Sequence, residues 1–521
     1  MTKKFLLINP PYPLEESPSP PFGLMSLAAY LNKNNIDVII EDFVVTPYTR
    51  EYIENVIDHY KPDLIGATGV TMNIKKALAI LEDCRDIAPK TPTVLGGPHA
   101  TFDAQNILAE NIFIDFIVRG EGEVTATELV KSLSRPSDLE KVAGISYRRG
   151  NEIVHNGERE FIQYLDSLPF PARHLCNLNK YKALGLPIGM MTSRGCPHRC
   201  IFCVGRRMVG GKVRYFSVER VVDELQMLAG MGFRQINIVD DLFTSHKKRC
   251  TEICNEIINR NIKVRWSAFA RVDTIDRELL SSLHQAGCTV LCFGIESGNQ
   301  EILDTVKKRT TLEMCRKAVA MCREAGILPL ASYILGLPGE TAETVTKTME
   351  FAGGLGAQYG YHILSPFPGT EVRDKCAEYG IRIFHDDWDK YDANQAVCEP
   401  AGISGGEIDA IYKKFNNSLD AYIQCAISEY QKGTHLSDEL DVVAEVTISR
   451  AVAWEIIKNN ITGDPRYRNR DENALVDELV SRLAPLTSLS ESTVKKEIRD
   501  FFKNKYLVYH EDTGLQWSST I

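Results

Sequence analysis

Residues 193–203 read SRGCPHRCIFC, which places Cys196, Cys200 and Cys203 in a C-x3-C-x2-C run. Directly before it, Ile188–Thr192 is a short apolar stretch of strand character, so the three cysteines fall on a loop at that strand's carboxyl end. Gly195 and Pro197 shape a loop that can wrap ligands around one metal centre. Structural zinc wants four protein ligands. Here the fourth would be His198, wedged between two of the others, or a distant residue. Three closely spaced thiolates suit instead a [4Fe–4S] cluster whose fourth iron is open to a small molecule.

From this loop outward, strands are expected at Ile188–Thr192, Gln235–Val239, Val264–Phe269, Thr289–Gly294, Leu328–Leu335 and Tyr359–Ile363, with helical patterns between them. Six strand–helix units over residues 188–370 are too few for a closed eight-fold barrel and suit a partial one, open along one side. Upstream, residues 1–140 alternate five short β-rich runs with helical stretches: Phe5–Asn9, Asp37–Glu41, Leu64–Thr68, Thr93–Leu95 and Asp115–Val118. That alternation predicts an α/β doubly wound, Rossmann-like domain with its ligand at the carboxyl ends of the strands. Residues 141–187 read as a hairpin (Gly144–His155) and a proline-bearing linker, 371–435 as a helical extension, and 436–521 as a small helical or winged-helix-like module.

Composition narrows the classes. The chain has 521 residues, which as a prior is about three domains. Sixty Lys and Arg against 69 Asp and Glu give a net charge of −9, with no basic surplus to mark a nucleic-acid partner. No apolar run is long enough to span a bilayer, and no secretory leader opens the sequence, so a cytoplasmic protein is expected. Of 14 cysteines, Cys250, Cys254, Cys288, Cys292, Cys315 and Cys322 read as small buried hydrophobes.

At this point the sequence resembles the radical S-adenosylmethionine (SAM) superfamily, whose partial barrel carries C-x3-C-x2-C after its first strand. The resemblance covers about residues 188–370. It implies that the three cysteines hold a [4Fe–4S] cluster whose open iron is chelated by SAM, and that SAM is cleaved reductively to a 5′-deoxyadenosyl radical. It further implies a SAM site formed by Phe202, by Asp240 and Asp241 in NIVDDLF, by Arg271 in SAFARVD, by Glu296 and Ser297 in FGIESGN, and by Leu335 and Gly336 in ILGLPGE. Singly, each has a plainer reading as a helix cap, a surface pair or a turn. Together they stand at successive strand ends on one rim.

The first domain lacks G-x-G-x-x-G after its first strand and has Asn9, Pro10 and Pro11 there instead. Glycine-bearing segments follow later strands: Gly66–Met72 (with Thr68, Gly69, Val70, Thr71 and Met72), Gly96–Thr101 (with Gly97 and His99) and Arg119–Glu123 (with Gly120, Glu121, Gly122 and Glu123). Glycines at strand ends let the backbone approach a large flat ligand or its tail. These segments resemble the cobalamin-binding domain that precedes many radical SAM barrels, and the resemblance assigns all these residues to cobalamin. Val44 stands where a D-x-H-x-x-G motif would supply the lower His ligand, which implies base-off cobalamin without a His ligand. For His99 the plainer reading is a satisfied loop histidine.

The expected activity is therefore that of a cobalamin-dependent radical SAM enzyme that methylates an unactivated carbon of a small-molecule, lipid or peptide substrate. A low-potential donor such as flavodoxin or ferredoxin would supply electrons. A non-methylating enzyme, an oxidative cyclase like the anaerobic magnesium-protoporphyrin ester cyclase or a ring-rearranging one, would use the same two domains. A cobalamin- or redox-sensing binding protein is the alternative from another class. Methylthiolation would need three further cysteines upstream, where only Cys84 and Cys176 stand.

Overall fold

The computed structural model describes residues 2–13 and 17–519. Its first sheet contains β1 (Lys3–Asn9), β2 (Ile36–Asp42), β3 (Leu64–Thr68), β4 (Thr93–Gly96), β5 (Phe116–Val118), β6 (Ile145–Arg149) and β7 (Glu152–His155). The order is β2-β1-β3-β4-β5-β6-β7, parallel from β2 to β5. Phe5–Ile8 are buried on both faces, as a strand covered by helices on each side requires. The strand order reverses at β1, so β1 and β3 flank the crevice where such sheets take their ligands. The expected hairpin forms, but as β6 and β7 it extends this sheet antiparallel beyond β5. Structurally it belongs with the first domain rather than with a linker. Pairing it with β5 covers an edge that would otherwise be exposed.

The second sheet runs β8 (Ile188–Met190), then β11 (Ile236–Ile238), β12 (Trp266–Ala270), β13 (Cys288–Glu296), β14 (Leu328–Leu335) and β15 (Gln358–Ile363), all parallel. Between β8 and β11 a small antiparallel pair, β9 (Ser193–Arg194) and β10 (Arg214–Tyr215), brackets the cysteine loop. Period-two alternation sorts the barrel strands. Ile236, Trp266, Ala268, Phe293, Tyr333 and Leu335 point outward and are buried under helices. Alternate residues face the concave side and stay accessible: Phe269 is 50% exposed and Leu330 36%. Cys292, read from sequence as a buried hydrophobe, lies between these two in register and is only half-buried.

Beyond the barrel, β16 (Ile381–Ile383) and β17 (Cys398–Pro400) form a hairpin that the helical reading of 371–435 did not anticipate. The helix Gly405–Gln431 begins with a Ser404–Glu407 capping box, and its Phe415 packs on Tyr359 and Tyr361 beside the open edge of the barrel at β15. Three more helices (Asp438–Lys458, Glu472–Thr487, Glu491–Lys503) and the hairpin β18 (Leu507–His510)–β19 (Gly514–Trp517) complete the chain. This end of the chain is thus mainly helical and closes on a two-stranded hairpin. Among the described residues no helix is long and apolar enough to cross a membrane.

The C-terminal helices share a core with Val44, Val45, Tyr181 and Leu184, so they are wedged against the first domain and the helix Leu178–Ala183. Val44 is 3% exposed within that core, where its side chain is enclosed by protein. The buried carboxylate of Asp42 anchors the junction, accepting from Asn9 Nδ2 (2.8 Å), the Tyr181 hydroxyl (2.7 Å) and the Val44 amide (3.2 Å). Burial pushes this carboxyl's pKa up, and the three donors oppose that. Tyr181→Phe is expected to destabilise the protein by about 1–3 kcal/mol, because the carboxylate loses a donor without regaining water. Urea denaturation followed by circular dichroism measures it.

Candidate functional site

The cysteine loop is fixed at both ends. Gly195 adopts φ +113°, and a Cβ there would stand 2.5 Å from the Lys212 carbonyl oxygen, so only glycine fits. The Cys196 amide donates to Gly210 O (3.1 Å), and Arg206 donates to Pro197 O (2.9 Å). Two sulfurs receive backbone N–H groups: Gly205 donates to Cys203 Sγ (3.3 Å), and His198 to Cys196. Such donors favour thiolate, whereas burial raises all three thiols, Cys203 to about 11. Burial thus favours the neutral thiols, and a bound cationic centre would favour the thiolates. Among the described residues no three His, Cys, Asp or Glu side chains converge as a cage for one ion.

The residues expected around SAM divide into two groups. Asp241 lies beside the cysteine loop: Gly195 N–H donates to its carboxylate, and a Cβ on Gly205 would meet Asp241 Oδ1 at 2.8 Å. Arg271 at the end of β12 donates to both Asp273 oxygens (2.9 and 3.0 Å) and to Lys308 O (2.9 Å). Glu296 ends β13 with φ +72° and accepts from Lys308 Nζ at 2.7 Å. Phe202 is half-buried against the apolar cluster around Ile201, Val306 and Leu337.

Two expected ligands have their side chains committed elsewhere. Asp240 is 1% exposed and takes the Thr192 amide, the Thr192 hydroxyl and the Ser193 hydroxyl, each at 2.6 Å. It thus holds the strand that leads into the cysteine loop. Ser297 is fully buried, with its hydroxyl against Thr348 Oγ1 (3.1 Å) and the Asn299 amide (3.2 Å). Leu335 is also buried, so it and Gly336 (φ +87°) offer backbone alone.

The residue that sequence reading missed is Glu340, at the end of ILGLPGE. It is fully buried, with Oε2 accepting from the Gly336 (2.6 Å) and Leu337 (3.1 Å) amides, while Oε1 has no partner among the described residues. It closes the turn after β14, and burial pushes its carboxyl up to about 7.

On the first domain, a cavity of about 270 Å³ lies over the ends of β1, β3, β4 and β5. Its walls include Thr68, Gly96, Gly97, Gly120 and Gly122. Gly97 has φ +95°, and a Cβ there would strike Gly69 O and Thr68 Oγ1 at 2.7 Å. Met191, Arg194, Met208 and Val209 of the barrel, which flank the cysteine loop, complete the same cavity.

Pro10 is buried and Pro11 half-buried beside Asn9, whose amide is committed to Asp42. In the loop after β3, Gly69 is buried, Met72 half-buried and Val70 37% exposed, whereas Thr71 pairs with His99 Nδ1 (3.1 Å). His99, in the short helix Pro98–Phe102, is 2% exposed and packs edge-on against Trp388 (4.9 Å). Glu121 and Glu123 line the cavity but pair with Arg214 and Arg194, so their carboxylates bridge the domains.

Known proteins share this combination. Residues 190–352 match the radical SAM superfamily and residues 16–130 the B12 binding domain. An uncharacterized methyltransferase of Pyrococcus horikoshii is 33% identical, over 79% of this chain and 91% of its own. The anaerobic magnesium-protoporphyrin IX monomethyl ester cyclase of Rubrivivax gelatinosus is 31% identical over 75% and 71%. Among solved structures, the cobalamin-dependent S-adenosylmethionine radical enzyme OxsB superposes with a TM-score of 0.71 at 19% identity, covering 96% of this chain and 80% of OxsB. The fold and site define a radical SAM barrel joined to a B12-binding domain. The chain belongs to the cobalamin-dependent radical SAM family, whose cofactors are a [4Fe–4S] cluster, SAM and cobalamin.

Two outcomes are expected. Gly195→Ala, which forces a Cβ onto the Lys212 carbonyl, should fold yet take up less than half the wild-type iron on reconstitution, measured by iron and sulfide assay. Glu340 binds its proton more tightly folded than unfolded, so its stabilisation is full below about pH 4.5 and lost as pH rises through about 7. That 2.5-unit window corresponds to about 3 kcal/mol. Glu340→Gln mimics the protonated acid, so its stability relative to wild type should be near equal at pH 5 and greater at pH 8 in denaturant titrations.

Proposed function

We propose that the protein is a methyltransferase that adds a methyl group to an unactivated carbon of a small-molecule substrate held between the two domains. The observation that carries this reading is the shared wall: residues flanking Cys196–Cys203 complete the cavity over the first domain's strand ends. Radical formation and methyl delivery must act on one carbon, so their sites have to face one space. Relatives named as methyltransferases support the same reading, among them the Pyrococcus horikoshii protein and the hopanoid C-3 methylase of Methylococcus capsulatus.

When bound, the cluster supplies the electron that cleaves SAM, and cobalamin carries the methyl group. The chain's own residues do the positioning. Cys196, Cys200 and Cys203 hold the cluster, and Asp240 steadies the strand before them. Asp241, Arg271, Glu296, Phe202 and the backbone at Leu335–Gly336 present polar and apolar contacts to SAM along the rim. The glycines at Gly96, Gly97, Gly120 and Gly122 admit the cobalamin tail to the cavity. Val44 lies in the core, so the position matching the D-x-H-x-x-G histidine offers cobalt no ligand. The concave row Phe269–Cys292–Leu330 lies below the rim and presents apolar side chains to the lumen. An external low-potential donor of the flavodoxin or ferredoxin class supplies electrons. Fourteen cysteines, all free, fit the reducing cytoplasm.

The cyclase relatives favour a second reading, oxidative ring closure on the same scaffold. Anaerobic incubation of reconstituted protein with methyl-labelled SAM, hydroxocobalamin and dithionite separates the two. Methyl transfer predicts that 5′-deoxyadenosine and S-adenosylhomocysteine both form, and that Cys200→Ala abolishes the deoxyadenosine. Deoxyadenosine without S-adenosylhomocysteine would replace this reading by the cyclase one.

A further inference from the structure

From the cavity wall, which Glu121, Glu123 and Arg194 themselves help to line, a series of short contacts leads to the cysteine loop. The Gly97 carbonyl, on the cavity wall, accepts from the Thr101 amide (3.0 Å) and hydroxyl (2.9 Å). The Thr101 hydroxyl oxygen in turn accepts the Gly120 amide (3.1 Å). Gly120, also on the wall and at φ +70°, precedes Glu121.

Glu121 accepts both Arg214 guanidinium nitrogens (3.1 and 2.9 Å), the Ile162 amide (2.8 Å) and, at 3.2 Å, Arg194 Nη1. Arg194 Nη2 donates to Glu123 Oε1 at 2.6 Å. The four side chains are between 4% and 9% exposed, and Arg194 and Arg214 are register partners on β9 and β10. Only Gly195, locked at φ +113° against Lys212, separates Arg194 from Cys196.

We propose that Thr101, Glu121, Glu123 and Arg194 are positioning residues that couple the two cofactor sites, so that filling the cavity favours assembly of the cluster and the cluster tightens the cavity. The proposal rests on the assignment of the cavity to cobalamin and of the three cysteines to the cluster. Its physical basis is that Glu121, Glu123 and Arg194 line the cavity and are paired with one another, so a ligand there acts directly on the ion pairs that lead into the cysteine loop. A ligand that settles Gly97 and Gly120 fixes Glu121 and Glu123. They fix Arg194, and Arg194 fixes the backbone one residue from the first cysteine. Coupling of this kind is reciprocal: each cofactor changes the other's affinity by the same factor.

The test uses the full chain, iron-stripped and cluster-reconstituted, under anaerobic equilibrium dialysis against hydroxocobalamin. The reconstituted form should bind hydroxocobalamin at least about five-fold more tightly than the stripped form. Reciprocally, hydroxocobalamin present during reconstitution should raise the iron and sulfide retained per chain. Thr101→Val cuts the series without removing a charge, and Glu123→Gln loosens its far end. Both should still bind iron, but with the affinity ratio brought close to one. Arg194→Lys should recover part of the ratio, and Arg277→Gln, at a remote surface pair with Glu324, should keep all of it. A wild-type ratio of one, or a wild-type ratio retained in Thr101→Val and Glu123→Gln, would overturn the coupling. Failure to bind hydroxocobalamin in either form, or iron on reconstitution, would overturn the site assignment itself and the coupling with it.

Discussion

One guanidinium, that of Arg194, has to satisfy carboxylates from another domain while its own backbone leads into the cysteine loop. Buried as it is, it has no water to fall back on, and removing one member of such a set typically costs about 3–5 kcal/mol. The remaining geometry follows from keeping it paired. The strand β9 must pair with β10 so that Arg214 can share Glu121. The segment Arg119–Glu123 must leave β5 in a left-handed turn at Gly120, and the barrel must present the start of its first loop to the first domain's strand ends.

Parallel sheets make that meeting possible. Every strand from β1 to β5 and every barrel strand delivers its carboxyl end to one side of its sheet. Once the two are set face to face, glycines on one rim and cysteines on the other line a common space, with Met191, Met208 and Val209 as the apolar wall between them. The C-terminal helices contribute from behind. They bury Val44, Val45 and Leu184 and so brace the far edge of the first sheet, where Asp42 joins β2 to the helix Leu178–Ala183.

The α/β class, the two strand–helix series and the cysteine loop were all legible in the sequence, because each is a local pattern: buried runs of four or five residues, helical periodicity, fixed cysteine spacing. What stayed hidden was long-range. Asn9, Asp240 and Ser297 stand at strand ends, where a polar residue suggests a ligand, yet their partners lie 33, 48 and 51 residues away in the chain. Glu121 and Glu123 pair with arginines 71 to 93 residues distant. No local signal distinguishes a carboxylate that waits for a cofactor from one that another domain neutralises. Glu340 escaped notice for the opposite reason: its partners are the amides of its own turn, and only its burial marks it. The hairpin β6–β7 was read correctly as a hairpin, but which sheet it joins depends on β5 having a free edge.

The open concave face is a consequence of strand number with a chemical use. A closed eight-strand barrel fills its interior with layers of branched side chains. Six strands cannot close, so Phe269, Cys292 and Leu330 form an apolar row that stays partly exposed on the concave face. Above that row the lining turns small, with Gly294 beside Ser332 in register. A side chain at Gly294 would collide with Glu296 Oε1 (2.3 Å) and Lys308 Nζ (3.0 Å). The glycine therefore lets a neutralised ion pair fold back over the lumen at the strand end. Polar groups gather at the rim and cancel one another there, while the row beneath is apolar from Phe269 to Leu330 and gives way to Gln358 on β15. Contacts that orient a radical's precursor are therefore supplied at the rim, and the Cys292 thiol below it, a hydrogen-atom donor to carbon radicals, has to stay out of the radical's reach.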